Sequence, residues 1–123
     1  MKKDLRPIRW TPGGLSLLEQ RLLPLREKWV LCDNVEKAAR AIEEMTVRGA
    51  PAIGITAAYG VALAARKSKT ADPGVFQREI LKAVERLRRT RPTAVNLFWA
   101  LDRMARKLKS LSGKSVPEQK RLL

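Results

Sequence analysis

Two arginines stand just before two proline-marked helix starts: Arg48 in Arg48-Gly49-Ala50-Pro51 and Arg91 in Arg91-Pro92-Thr93. A glycine frees the backbone ahead of the first helix, so the unpaired N–H groups of Ala50, Ala52 and Ile53 can point outward at the positive end of the helix dipole. Anions bind well at such a tip, and an arginine beside it adds bidentate, charge-assisted contacts worth roughly 1.5–3 kcal/mol per hydrogen bond. Arg48, Arg91 and the amides of Ala50, Ala52 and Ile53 are therefore the candidate phosphate ligands, in one pocket between two helix tips. The pattern alone also fits two solvated surface arginines and an ordinary Gly-Ala-Pro turn.

The elements that would have to carry these residues are legible to different degrees. Ile8 to Trp10 reads as a short strand, Thr11-Pro12-Gly13-Gly14 as a reversing turn, and Trp29-Val30-Leu31-Cys32 as another strand. Leu15 to Leu25 is ambiguous, with leucines at 15, 18, 22 and 25 in helical spacing but Leu15 and Leu17 starting a strand alternation. Asp33 with Glu36 has capping-box spacing ahead of a helix over residues 34–46. A second helix is expected from Pro51 at its first position to about Lys67, apolar nearly all round and kept thin by alanine and glycine. Asp72 should cap a third helix with Phe76, Ile80, Ala83, Val84 and Leu87 inward, and Thr93 a fourth with Leu97, Phe98, Leu101, Met104 and Leu108 inward. Ser115-Val116-Pro117-Glu118 opens a fifth, whose apolar Leu122-Leu123 fits either a chain that continues or a short terminal turn.

Composition narrows the chemistry. The 123 residues contain no histidine and one cysteine, Cys32, so this chain alone builds neither a tetrahedral zinc cage nor a histidine-dependent nucleophile, and neither a metal nor a cofactor is expected. The single thiol fits a reducing cytoplasm, and the most apolar run, Pro51 to Ala65, is too short for a bilayer. A formal charge of +14 sits mostly in residues 61–123, which hold 16 basic and 5 acidic side chains. Lys82, Arg86, Arg88, Arg89, Arg103, Arg106, Lys107 and Lys109 fall largely on the outer faces of two amphipathic helices. Charge placed that way usually solvates a face, which argues against nucleic acid as the partner.

Met45 through Leu63, MTVRGAPAIGITAAYGVAL, closely resembles the signature of the family that holds methylthioribose-1-phosphate isomerases, ribose-1,5-bisphosphate isomerases and the regulatory subunits of translation initiation factor two-B. Ile8-Arg9-Trp10 with Gln20-Arg21-Leu22-Leu23-Pro24 resembles the opening hairpin of the first of these. Arg91 to Leu97 and Trp99 to Met104 resemble its second block. The resemblance covers essentially the whole chain. It implies an α+β fold with a small antiparallel sheet of about three strands over residues 1–33, a helical bundle over 34–114 and the start of a further helix over 115–123, and so resolves Leu15 to Leu25 as strand. It implies that Arg48, Gly49, Ala50 and Arg91 hold the phosphate of a sugar phosphate, the residues that the helix-tip argument selects.

In the family, the catalytic cysteine and aspartate belong to a larger C-terminal Rossmann-like domain, which this sequence lacks. Neither Cys32, at a strand end, nor Asp102, beside Arg103 and Arg106 and suited to ion pairing, takes their place. No catalytic residue is expected here, and the 123 residues alone should not isomerise a sugar phosphate. The intact protein is expected to be a cytoplasmic homodimer that docks this domain on its C-terminal one. Ribose-1,5-bisphosphate isomerase and a non-enzymatic regulatory subunit are the alternatives.

Overall fold

A computed structural model describes residues 8–19, 28–44, 46, 50–91 and 94–123. Its first layer is a three-stranded antiparallel sheet in the order β1-β2-β3, with β1 Ile8–Thr11, β2 Gly14–Leu18 and β3 Trp29–Cys32. Pro12 and Gly13 close a two-residue turn between the paired Thr11 and Gly14, and the Thr11 hydroxyl donates to the Gly14 carbonyl at 2.8 Å. Gly14 is irreplaceable on two counts: its φ is +136°, and a Cβ there would lie 2.5 Å from the Cys32 carbonyl oxygen. β2 is the middle strand, pairing Leu17 with Ile8 on one side and with Val30 on the other.

Leu15, Leu17 and Leu18 are all buried. Because both faces of β2 carry buried leucines, neither a clean alternation nor a clean helical stripe could emerge from its sequence. The strand reading of Leu15 to Leu25 holds through Leu18, and residues 20–27 lie outside the described part.

Five helices follow: α1 Val35–Glu43, α2 Ala50–Lys67, α3 Pro73–Arg88, α4 Val95–Ser110 and α5 Val116–Leu122. α2 is the hub, touching each of the other four helices as well as β1 and β2. Its small residues permit this: Ala57 and Val61 are fully buried, and at Gly60 a Cβ would meet Leu87 Cδ1 at 3.0 Å. One apolar cluster runs from Leu15 and Leu17 through Ile42, Phe76 and Leu101 to Val116, so α5 belongs to the same core as the sheet. Among the described residues no helix is long and apolar enough to cross a membrane.

The helix starts correct several expectations. Asp72 caps α3, accepting from the amides of Gly74 and Val75, and Ser115 caps α5, accepting from Glu118 N–H. α1 is shorter than the expected 34–46, and its cap is Asn34, which accepts from Lys37 N–H at 2.9 Å, not Asp33. Asp33 instead pairs with Lys37 Nζ at 3.0 Å. Glu36, the expected reciprocal partner, is taken by Arg86 of α3 at 2.8 Å. α2 starts one residue earlier than expected, placing Pro51 second, and the cap position of α4 is Ala94, with Thr93 outside the described residues.

Candidate functional site

The first turn of α2 offers outward amides at Ala50 and Ala52, while Pro51 contributes none. α4 presents the same feature in a sharper form. α1, α3 and α5 are each capped by a side chain, but Ala94 at the start of α4 provides no side-chain hydrogen bond. The ladder begins with Phe98 N–H donating to the Ala94 carbonyl at 3.2 Å, leaving the amides of Val95, Asn96 and Leu97 ahead of it.

These two tips lie side by side. A Cβ built on Gly54, the fifth residue of α2, would lie 3.1 Å from the carbonyl oxygen of Asn96, the second residue of α4. A side chain there would push the helices apart by a few tenths of an ångström. Gly54 is about 6 Å along the axis from Ala50 at 1.5 Å per residue, so the positive ends of two helix dipoles converge on one region. Arg91 is half-buried and is tied to the start of α4 by a turn in which Ala94 N–H donates to the Arg91 carbonyl at 3.0 Å. Arg48 and Gly49 lie outside the described residues. The structure thus joins Ala50's helix to the helix that follows Arg91.

From the tips a groove of about 620 Å³ runs between α2 and α4, with Pro51, Gly54, Ile55, Asn96, Trp99 and Met104 on its walls. Trp99 and Val95 are 61% and 76% exposed, and Arg103 lies 5.5 Å from the Trp99 ring centre. The lining is mostly apolar.

The remaining reactive groups are committed elsewhere. Burial pushes the Cys32 thiol up to about 11, which keeps it a protonated, unreactive core residue. Asp102 is ion-paired as expected, but with Arg88 of α3 at 2.8 Å instead of the sequence-adjacent Arg103 or Arg106. Arg86 forks between Glu36 and Glu43 of α1, and its hydrogen bonds hold both carboxyls below the ordinary glutamate range. Part of the basic second half therefore braces helices. Among the described residues no cluster of His, Cys, Asp or Glu could hold a metal.

Sequence reasoning missed two features near the site. The Gly54–Asn96 contact is tertiary, and its only trace was the run of small residues along α2. Glu19 and Thr46 are both buried, with the Thr46 hydroxyl donating to the Glu19 carboxylate at 3.1 Å. That pair left a signal in the alternation Leu15, Leu17, Glu19, which puts an acid in the inward register.

A small antiparallel sheet backing a helical layer, with the first turns of α2 and α4 brought together at a glycine, defines an α+β domain. The chain belongs to the initiation factor 2 subunit family, whose sequence model matches residues 46–123. It is 57% identical over 97 residues to a methylthioribose-1-phosphate isomerase of Marinobacter nauticus, covering 79% of this chain and 27% of that protein. Against the methylthioribose-1-phosphate isomerase of Acetivibrio thermocellus it is 45% identical over 119 residues, covering 97% of this chain and 35% of the relative.

The crystal structure of 5-methylthioribose 1-phosphate isomerase from Pyrococcus horikoshii superposes with a TM-score of 0.91 at 44% identity, over 95% of this chain and 33% of that one. Translation initiation factor eIF-2B, subunit delta, from A. fulgidus superposes at 0.86 and 45% identity, over 97% of this chain and 34% of that one. The chain thus spans about a third of the length of these relatives.

Proposed function

We propose that this chain is the phosphate-holding N-terminal domain of an isomerase that converts 5-methylthioribose 1-phosphate to 5-methylthioribulose 1-phosphate, a step of methionine salvage. The observation that carries this reading is the contact of Gly54 with Asn96, which sets the amide-bearing tips of α2 and α4 side by side. In this reading the amides of Ala50 and Ala52 and those at the start of α4 donate to the oxygens of one doubly charged phosphate between them. The guanidiniums of Arg48 and Arg91 supply the compensating charge, and Gly49 lets the backbone reach the ester. The likeness to named isomerases in both sequence and fold supports the choice of substrate.

The reaction moves a hydrogen between C2 and C1 of the sugar, and this domain contributes position and charge, not proton transfer. It has no histidine, its cysteine is buried and protonated, and Asp102 is held by Arg88. The groups that move the proton would come from a second, Rossmann-like domain closing on the α2–α4 groove, in a protein that works as a cytoplasmic homodimer.

The test is to mix the purified 123 residues with methylthioribose 1-phosphate. Saturable amide shifts at Ala50 and Asn96 without turnover are expected, and turnover by the chain alone would refute the division of labour. A second reading, a non-enzymatic regulatory subunit, draws on the likeness to the eIF-2B delta subunit. Binding of translation initiation factor two by a protein that carries this domain and shows no sugar-phosphate turnover would favour it. Ribose-1,5-bisphosphate isomerase is separated by assaying such a protein on both sugars.

A further inference from the structure

Glu19 is a carboxylate almost removed from solvent, at 4% exposure, in a chain whose other described acids lie nearer the surface. Its backbone is fixed first: β2 and β3 pair Leu18 with Trp29, and one step further Glu19 N–H donates to the Lys28 carbonyl at 2.7 Å. The side chain follows the inward register of Leu15 and Leu17. There it meets Thr46, itself 3% exposed, whose hydroxyl donates to Glu19 Oε2 at 3.1 Å across 27 residues of sequence. Thr46 stands between the end of α1 and the start of α2, two residues before Arg48 and four before Ala50.

A buried carboxylate costs free energy unless hydrogen bonds offset it. An apolar residue at position 19 would pack more cheaply against the neighbouring leucines, so the acid calls for a reason beyond packing. The residue it holds supplies one: a buried hydrogen bond ties the sheet to Thr46, four residues ahead of the first residue of α2. The tip can present amides and an arginine to a phosphate only if the chain ahead of it is held in one conformation, because charge-assisted contacts fall off steeply with misalignment.

We propose that Glu19 is a positioning residue, which through Thr46 fixes the chain entering the α2 tip and thereby sets the geometry of phosphate binding there. The proposal rests on the phosphate reading of the two tips and adds the residue that orders one of them. Glu19 touches no substrate in this assignment.

The experiment compares the 123-residue chain with Thr46→Val, Glu19→Gln and Glu19→Ala, using inorganic phosphate as the probe and amide hydrogen exchange without phosphate as a separate readout. Thr46→Val removes the hydroxyl with almost no change of shape, and should weaken phosphate binding about fivefold while speeding exchange at Thr46 and Ala50. Glu19→Gln keeps an acceptor for Thr46 and should bind within about twofold of the parent chain, a rescue that general loosening of the core would not produce. Should Glu19→Ala fail to fold, the Thr46→Val and Glu19→Gln pair still decides the matter.

Unchanged affinity and unchanged exchange in Thr46→Val would overturn the proposal. If the parent chain itself shows no response to phosphate, the phosphate reading falls. The exchange arm then stands alone: faster exchange in Thr46→Val retains Glu19 as the residue that orders this segment, and unchanged exchange removes it.

Discussion

Replacing Gly54 by alanine probes the distance between the two helix tips. The added Cβ would lie 3.1 Å from the Asn96 carbonyl oxygen, 3.5 Å from the carbonyl carbon and 3.6 Å from Asn96 Cβ. The first distance is shorter than an ordinary contact by a few tenths of an ångström, and the obstacle is backbone, which cannot rotate aside, so α4 must move as a unit. Overpacking of this kind costs about 1–3 kcal/mol, whereas glycine to alanine inside a helix recovers about 1 kcal/mol. The net expectation is a loss of about 1 kcal/mol, read as a Tm lowered by about 5 °C.

Phosphate affinity should suffer more than stability. If the shift misaligns one charge-assisted hydrogen bond, inorganic phosphate should bind about tenfold more weakly by calorimetric titration. Gly60→Ala serves as the control, being about 15 Å along the same helix from Ala50 and meeting the rotatable tip of Leu87 at 3.0 Å and Ala38 Cβ at 3.6 Å. It should lower Tm without changing phosphate affinity. A Gly54→Ala chain that is less stable yet binds phosphate like its parent would refute the claim that tip spacing sets the site, and a more stable one would show that the close approach is absent.

Three further outcomes follow from the same packing. The Thr56 hydroxyl is buried without a hydrogen-bond partner among the described residues, so Thr56→Val should raise Tm by about 4 °C, and a lowered Tm would reveal a partner. Arg86→Met should cost about 1 kcal/mol at neutral pH by unbridging α1 from α3, measured by urea denaturation. Glu36 and Glu43 have depressed values in the folded chain. Their contribution is therefore present above the ordinary glutamate value near 4.3 and fades as pH falls through the lower folded values, and the variant should lose this acid dependence. Cys32 should resist a disulfide reagent at pH 8 until the chain is unfolded. Its raised value makes a contribution that is whole below the free-thiol value near 8.5 and is lost as pH rises toward 11, and prompt labelling of the folded chain would contradict its burial.

What the sequence could reveal was set by range. Asp72 and Ser115 were readable because a cap acts on amides two or three residues away, and the turn at Pro12-Gly13 because its residue types define it. Asp33 and Asn34 are adjacent and both able to cap, and the extended backbone of Asn34, at φ −148°, decided between them, which no spacing rule reports. Leucine spacing misled in β2 because a strand buried on both faces mixes the two periodicities. Glu36 and Asp102 found partners on α3, 50 and 14 residues away, Glu36 in addition to its chain neighbour Arg40. For the site, the residue types at positions 50 and 91 were legible. The Gly54–Asn96 approach and the Glu19–Thr46 pair exist only once sheet, α2 and α4 have packed.

The most direct test of the two-tip pocket is a crystal structure of the chain with methylthioribose 1-phosphate. The account predicts one phosphate whose oxygens lie about 2.7–3.2 Å from both the Ala50 amide and the Arg91 guanidinium, with Arg48 on the same ester. A phosphate held at one tip while the other faces solvent, or bound away from both, would contradict it.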